Sequence, residues 1–253
     1  MGDGRPTLWQ LEISHYSEKA RWALDLKRVP HVRRDPMGGL HMPIAFAKTQ
    51  GASFTFPVLE IDGATIGDST AIIAELERRF PERPLYPADP ADRQRALAIE
   101  DYFDERVGPA ARLFAWHEVT RDGESLRRIS TSIGPPVPEP LRAVGAFATG
   151  QFLDMRYRVT SDDRAGAARR SVLEGFDRIE AELESGDGEH LVGTEFSIAD
   201  LTAATLLYPI VRPDEGPQVL GTPPPGLERF GDELAGRPGF AWVKDTFRRY
   251  RRA

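Results

Sequence analysis

The residues in this chain best suited to hold a ligand lie within one stretch, SFTFPVLEIDGATIGDSTAIIAELERRF, residues 53–80. Pro57 heads an apolar run in which it cannot donate a ladder hydrogen bond, so it must be the first strand residue or lie on an edge. An X–Pro bond also tolerates the cis form, which would turn the backbone groups of Phe56 outward, free to pair with something else. Further on, Asp68, Ser69 and Thr70 are three N-capping residues in a row. The N–H groups and dipole of a helix starting there favour a carboxylate or a phosphate. A free strand edge beside an anion-binding helix end is a seat for a small peptide with a terminal carboxylate. The same residues also fit a plain hairpin with a trans proline and an ordinarily capped helix, and the pattern leaves both readings open.

The elements that would position these groups follow from the apolar periodicity. Val58, Leu59 and Ile61 form a strand, and Asp62-Gly63 is a two-residue hairpin turn because both positions accept positive φ. Ala64 to Ile66 is the returning strand. Ile72, Ile73, Leu76 and Phe80 then mark a helix that Pro81 and Pro84 stop. Upstream, TLWQLEI (7–13) suits a buried strand, and SHYSEKARWALDLKRV carries a helical face up to Pro30. A second strand begins at His31-Val32, and Met37 to Gln50 is a loop with a weak helix. Lys19 and Arg21 in the first helix read as surface or structural residues. The order strand, helix, strand, helix, strand, strand, helix is an α/β unit, with the first two strands parallel and the last pair antiparallel.

PERPLYPADP (81–90) is a proline-rich boundary, and almost everything beyond it reads as helix. Asp89 or Asp92 caps a long run carrying Leu97, Ile99, Tyr102, Phe103, Val107, Leu113, Phe114 and Trp116, which Gly108-Pro109 should break or kink. Residues 133–140 are a loop, 141–159 and 164–183 are helices, and 185–193 is a further loop. IADLTAATLLYPI is apolar nearly all round, which marks the buried centre of a helical domain. Ser197 and Asp200 read as its capping box. The tract 219–226 separates it from two or three short terminal helices.

With 253 residues, 40% of them hydrophobic, the chain is long enough for two domains. The net charge of −6 argues against nucleic acid or an anionic membrane as the main partner. Lysine occurs only at Lys19, Lys27, Lys48 and Lys244. The absence of cysteine excludes disulfides, thiolate metal sites and any nucleophilic thiol of the protein's own. The five histidines form neither HxH nor HExxH, so no metal is expected. The opening MGDGRPTLWQ has no apolar leader, and no long apolar run follows, which suggests a soluble, cytoplasmic protein.

A small α/β domain, a proline linker and a larger helical domain, together with ISHYSEKARWAL, FPVL, GDSTAI and GTEFSIAD, resemble the cytosolic glutathione transferases. The likeness is to serine-type, bacterial-like members and covers nearly the whole chain. It implies a thioredoxin-like glutathione-binding domain over residues 1–82, a linker over 83–90 and an all-helical domain over 91–253 that forms the side for the second substrate. It implies glutathione as co-substrate, no metal, and a homodimer. In the family, the residue before the strand-heading proline pairs its backbone with the cysteinyl part of glutathione, here Phe56 ahead of Pro57, expected cis. Asp68 would face the γ-glutamyl ammonium, and Ser69 with its N–H the carboxylate. Thr55, His41 and Lys48 are candidates for the glycyl end.

The first strand offers Trp9, Gln10 and Leu11 where some family classes carry a tyrosine. Other classes use a Ser or Cys at the start of the first helix, which carries over to Ser14, with Ser17 as the fallback. A hydroxyl there would donate to the glutathione sulfur, lower its pKa and leave a thiolate to attack a small electrophile. A thiol–disulfide reaction through the protein is disfavoured for want of cysteine. Tyr102, Phe103, Arg106, Phe114, Trp116 and His117 recur at roughly helical spacing on the second-substrate side; the first four are the candidates for its pocket, and most of the six fit a core better. The competing reading is a non-catalytic binding or assembly module of the same fold.

Overall fold

The computed structural model describes residues 4–36, 40–133, 138–186, 188–219 and 221–251. Parts of the loops expected at 37–50, 133–140, 185–193 and 219–226 therefore lie outside the described residues, as does the extreme start of the chain. Four strands, β1 (Thr7–Trp9), β2 (Val32–Arg34), β3 (Val58–Ile61) and β4 (Ala64–Gly67), form one sheet in the order β2-β1-β3-β4. β1 runs parallel to β2 and antiparallel to β3, and β3 runs antiparallel to β4. Asp62 and Gly63 both take positive φ at the hairpin, as a two-residue turn requires. Helices α1 (His15–Leu26), α2 (His41–Lys48) and α3 (Ser69–Arg79) complete this α/β part. β1 is shorter than the sequence suggests, because the chain leaves the sheet after Trp9 and turns toward α1.

The helical part comprises α4 (Pro90–Tyr102), α5 (Gly108–Arg121), α6 (Gly123–Ile133), α7 (Arg142–Tyr157), α8 (Asp162–Ser185), α9 (Ile198–Val211), α10 (Pro225–Leu234) and α11 (Pro238–Tyr250). The architecture is a thioredoxin-like α/β domain followed by an all-helical one. Asp89, not Asp92, caps α4, its carboxylate accepting from the N–H groups of Ala91 and Asp92. α6 went unrecognised in the sequence. Every residue of α9 is buried, and both halves of the Ser197–Asp200 capping box form. Asp200 also accepts from the Leu191 N–H at 2.8 Å, which ties the preceding loop to the box.

The expected break at Gly108-Pro109 does not occur. A π-helical turn, Phe103–Val107, joins α4 to α5 without a gap. Proline lacks an N–H and its ring collides with the carbonyl four residues back, and a widened turn relieves both problems. Gly108 is needed for another reason: a Cβ there would stand 2.7 Å from the Tyr16 hydroxyl oxygen.

One ion cluster joins the two parts. Lys19 of α1 is fully buried, and its ammonium meets Glu100 of α4, Asp104 of the π turn at 2.7 Å and the Thr70 hydroxyl of α3 at 3.1 Å. Arg21 is also buried, paired with Glu18 and donating to Gln10. The reading of these two residues as possible surface groups is thereby corrected. At the far end of the chain, Arg251 pairs with Glu18 and Asp25, and Trp22 donates to the Tyr250 carbonyl, so α11 closes over α1.

Removing one member of a buried ion cluster leaves the others uncompensated, typically at about 3–5 kcal/mol. Lys19→Met is expected to lower stability by about that much in urea unfolding, and adding Glu100→Gln should restore part of the loss.

Candidate functional site

A cavity of about 370 Å³ opens between the α/β part and the helical part. Its α/β wall contains Ser14, Thr55, Phe56, Pro57, Asp68 and Ser69, so the structure brings six of the expected residues to one place. His41 joins them. Lys48 does not: it pairs with Glu60 at 2.8 Å and lies over the Trp9 ring. Ser17 does not either, being fully buried behind the wall, where its hydroxyl accepts from the Leu11 N–H.

The Phe56–Pro57 peptide is cis. The Phe56 N–H and carbonyl enter no backbone hydrogen bond among the described residues. Asp68 holds φ +75° and caps α3, one carboxylate oxygen accepting from the N–H groups of Thr70 and Ala71. Such a φ is strained for a residue with a Cβ and persists because the cap over-determines it. Among the described residues the Ser69 N–H has no acceptor, and the Ser69 hydroxyl, buried at 1% exposure, has no partner. Unpaired buried polar atoms are rare in folded proteins. An anion placed there would satisfy the hydroxyl, the N–H and the helix dipole together.

The second helix end facing the cavity belongs to α1. Ser14 is its N-cap, and the hydroxyl oxygen accepts from the Ser17 N–H at 3.3 Å, which leaves the hydroxyl proton available. The N–H groups of His15 and Tyr16 have no acceptor among the described residues. Tyr16 does not offer a free phenol: its hydroxyl donates to the Asp104 carbonyl at 2.8 Å, and burial followed by the Asp104 charge pushes its pKa up. Tyr208 of α9 donates to the Ile13 carbonyl at 2.7 Å and so fixes the loop that presents Ser14.

The helical wall departs from expectation. Phe103 is fully buried, Phe114 packs edge-on against Phe230, Tyr102 meets Phe103 edge-to-face, and Arg106 pairs with Glu174. None of the four lines the cavity. The wall is built by Trp116, which the sequence does place on this side, with Pro109, Arg112 and Val119 of α5, Arg156 and Tyr157 of α7 and Tyr208 and Arg212 at the end of α9. These α5 residues recur at helical spacing on the face opposite the Phe103–Phe114 stripe. His15, missed in the sequence although it stands beside Ser14, is the other cavity residue of note. Both its ring nitrogens are buried without partners. Burial, then the charges of Arg112 and Lys19, holds its pKa well below the ordinary value.

Two family models match the chain: the glutathione S-transferase N-terminal domain over residues 8–84 and the glutathione S-transferase C-terminal domain over residues 148–238. The chain belongs to the glutathione S-transferase family. Among curated relatives, a probable maleylacetoacetate isomerase of Caenorhabditis elegans is 26% identical over 240 residues, covering 95% of this chain and 93% of the relative. Among solved structures, the glutathione transferase GSTFuA3 of Phanerochaete chrysosporium aligns with a TM-score of 0.65 at 17% identity over 97% of both chains. A theta class glutathione S-transferase from Xanthomonas axonopodis pv. citri, solved with glutathione bound, aligns with a TM-score of 0.58 at 20% identity, covering 94% of this chain and 95% of that one. At these identities the two structures speak for the fold alone.

His15 and His41 are both held below the ordinary histidine value of 6.5, His41 through burial. Above that pH the folded and unfolded states are both neutral at these positions. Below it the unfolded chain takes up protons that the folded one refuses, so stability is lost as the pH falls. Urea midpoints should therefore drop below about pH 6.5, and His15→Phe should flatten part of that slope.

Proposed function

We propose that this protein is a glutathione-dependent transferase that presents glutathione as a thiolate to a small electrophile. The observation that carries the reading is the unpaired Ser69 hydroxyl and N–H at the α3 terminus, facing the same cavity as the open Phe56 backbone. The tripeptide would lie along Phe56, with its γ-glutamyl carboxylate on Ser69 and its ammonium toward Asp68. Thr55 and His41 border the glycyl end. Lys48 is spoken for by Glu60 and has no part in it.

The sulfur would then face Ser14. A donated hydroxyl proton, the two unpaired N–H groups of the first turn and the α1 dipole all favour the thiolate over the thiol. The thiolate sulfur attacks the electrophilic carbon, a carbon–sulfur bond forms, and the displaced group leaves with its electron pair. Isomerisation through reversible addition of the same thiolate uses the same groups. That variant has the support of the relatives named as maleylacetoacetate isomerases. The protein would work in the cytoplasm as a homodimer.

Thermal unfolding with and without glutathione tests binding. A ligand at about a hundred times its dissociation constant stabilises by roughly 2.7 kcal/mol, which is a rise of several degrees in a chain of this size. The rise is expected to shrink in Ser69→Ala, whose unliganded stability should not fall and should gain by up to about 1–3 kcal/mol, because the buried hydroxyl has no partner to lose. Absence of any shift in wild type would sink the reading and favour a non-catalytic module. The role of Ser14 has its own readout. In Ser14→Ala the pKa of the bound thiol, followed by thiolate absorbance, should rise by about one unit, a loss near 1.4 kcal/mol of thiolate stabilisation. Unchanged thiolate absorbance in that variant would remove Ser14 from the mechanism.

A further inference from the structure

His15 is the first residue of α1 and stands next to Ser14 in the cavity wall. Its side chain is 3% exposed, and neither ring nitrogen has a hydrogen-bond partner among the described residues. An imidazole carries at least one N–H, and buried donors are nearly always satisfied. The ring is also held in place. It meets the Tyr16 ring edge-on, with centres 4.5 Å apart. Tyr16 in turn is fixed by its hydrogen bond to the Asp104 carbonyl and by Gly108, whose missing side chain makes room for the phenol. Arg112 lies over it, the guanidinium 5.5 Å from the Tyr16 ring centre and 4.9 Å from that of Tyr157. The unspent N–H of His15 is thus a fixed donor at the cavity.

Its protonation state suits one role. Burial comes first among the causes that keep the ring uncharged, followed by the positive charges of Arg112 and Lys19. A neutral imidazole keeps its N–H proton, so it polarises an oxygen by hydrogen bonding instead of protonating it. The dipole of α1 favours negative charge at the same end of the helix. Consecutive Cα atoms are about 3.8 Å apart. An oxygen conjugated with the carbon that a sulfur at Ser14 attacks therefore falls within reach of the next side chain.

We propose that the His15 ring is a catalytic hydrogen-bond donor, holding the oxygen on which negative charge develops when the glutathione sulfur adds to a carbon conjugated with a carbonyl group. The inference rests on the glutathione reading and adds a group that acts on the electrophile, where Ser14 acts on the thiol. The sulfur pair forms the carbon–sulfur bond, the alkene pair moves to the bond next to the carbonyl, and the carbonyl pair moves onto oxygen. The His15 N–H stays on nitrogen and donates to that enolate oxygen. Return of the electrons expels the thiolate and restores an alkene that was free to rotate while single. Proton transfer from water to carbon instead leaves the conjugate and hydroxide.

The test is the ratio of kcat/KM, with glutathione, for two electrophiles of similar size. One is trans-4-phenyl-3-buten-2-one, whose attacked carbon is conjugated with a ketone; the other is benzyl chloride, which loses chloride and develops no oxyanion. In His15→Phe the ketone-to-chloride ratio is expected to fall about tenfold or more, the loss of one hydrogen bond to a charged oxygen. In His15→Gln, which keeps an N–H donor, it should stay within about threefold of wild type. Ser14→Ala should lower both rates together, since it acts on the sulfur. Turnover of benzyl chloride in each variant also reports that the protein has folded. A ratio unchanged in His15→Phe, or one that falls equally in His15→Phe and His15→Gln, would overturn the inference and leave the glutathione reading in place. A wild type that glutathione stabilises but that leaves the ketone unreacted would overturn it too. A wild type that turns over neither compound and gains no thermal stability from glutathione would strike down the glutathione reading, and the inference with it.

Discussion

The fold depends on a lysine ammonium shut away from water. Lys19 has no exposed surface, and its partners come from three separate elements. Its desolvation is offset only if Glu100, Asp104 and Thr70 stay in register, because the attraction falls quickly when the geometry loosens in a low-dielectric interior. The cluster therefore acts as a positional constraint between the α/β and helical parts. Three of its four members also stand at or close to the cavity, which Asp104 lines. Lys19 is on the helix that Ser14 caps, Thr70 follows Ser69, and Asp104 precedes Glu105. Burial pushes the Asp104 pKa up against the pull of Lys19. The site is thus scaffolded by charges that are engaged with one another.

The cavity that results is under-satisfied. Among the described residues, two helix N-termini open onto it with unpaired N–H groups, the Ser69 hydroxyl, both ring nitrogens of His15 and Nδ1 of His41 lack partners, and Asp68 holds a strained φ. A core made this way would be poor design, since each buried orphan costs about 1–3 kcal/mol. The same groups concentrated on one cavity are what a preorganised binding site requires. The stability given up there is recovered elsewhere. α9 is buried along its whole length, its capping box is complete, and the C-terminal Arg251 clasps α1 through Glu18 and Asp25.

What the sequence revealed and what it concealed separate along physical lines. The Asp62-Gly63 turn, the caps at Asp68 and Ser197 and the apolar α9 were legible because each is set by local rules of φ, capping or periodicity. For the α/β wall, local rules marked the element ends at Pro57 and at Asp68–Ser69 but left a trans proline and an ordinary cap open, and it was the resemblance to glutathione transferases that singled out Phe56, Pro57, Asp68 and Ser69. The helical wall was less legible. Tyr102, Phe103 and Phe114 form an aromatic stripe, but a stripe says only that a face is buried, not what it is buried against. Here it meets α8, α9 and α10, while the cavity face of α5 carries Arg112, which reads as solvated until Tyr16 and Tyr157 are seen around it. For Lys19 and Arg21 the sequence left surface and structural roles open, and the structure takes the structural one, since burial of a charge depends on partners as distant in sequence as Asp104, 85 residues from Lys19.

The electrostatics of the α1 terminus bear on how a thiol could be activated without a base. Tyr16 is occupied with the Asp104 carbonyl, and the chain has no cysteine to share the chemistry. A protonated His15 would favour a thiolate by simple attraction, but burial and the nearby Arg112 and Lys19 keep that ring neutral. The stabilisation left for a sulfur anion is then fixed in the backbone, from the helix dipole and the N–H groups of His15 and Tyr16, with the Ser14 hydroxyl in front of them. None of these groups titrates near neutrality, so the thiolate fraction in the proposed reaction follows the ionisation of the sulfur itself. A nearby histidine whose charge switched with pH would couple that fraction to a second proton, and holding His15 neutral avoids the coupling.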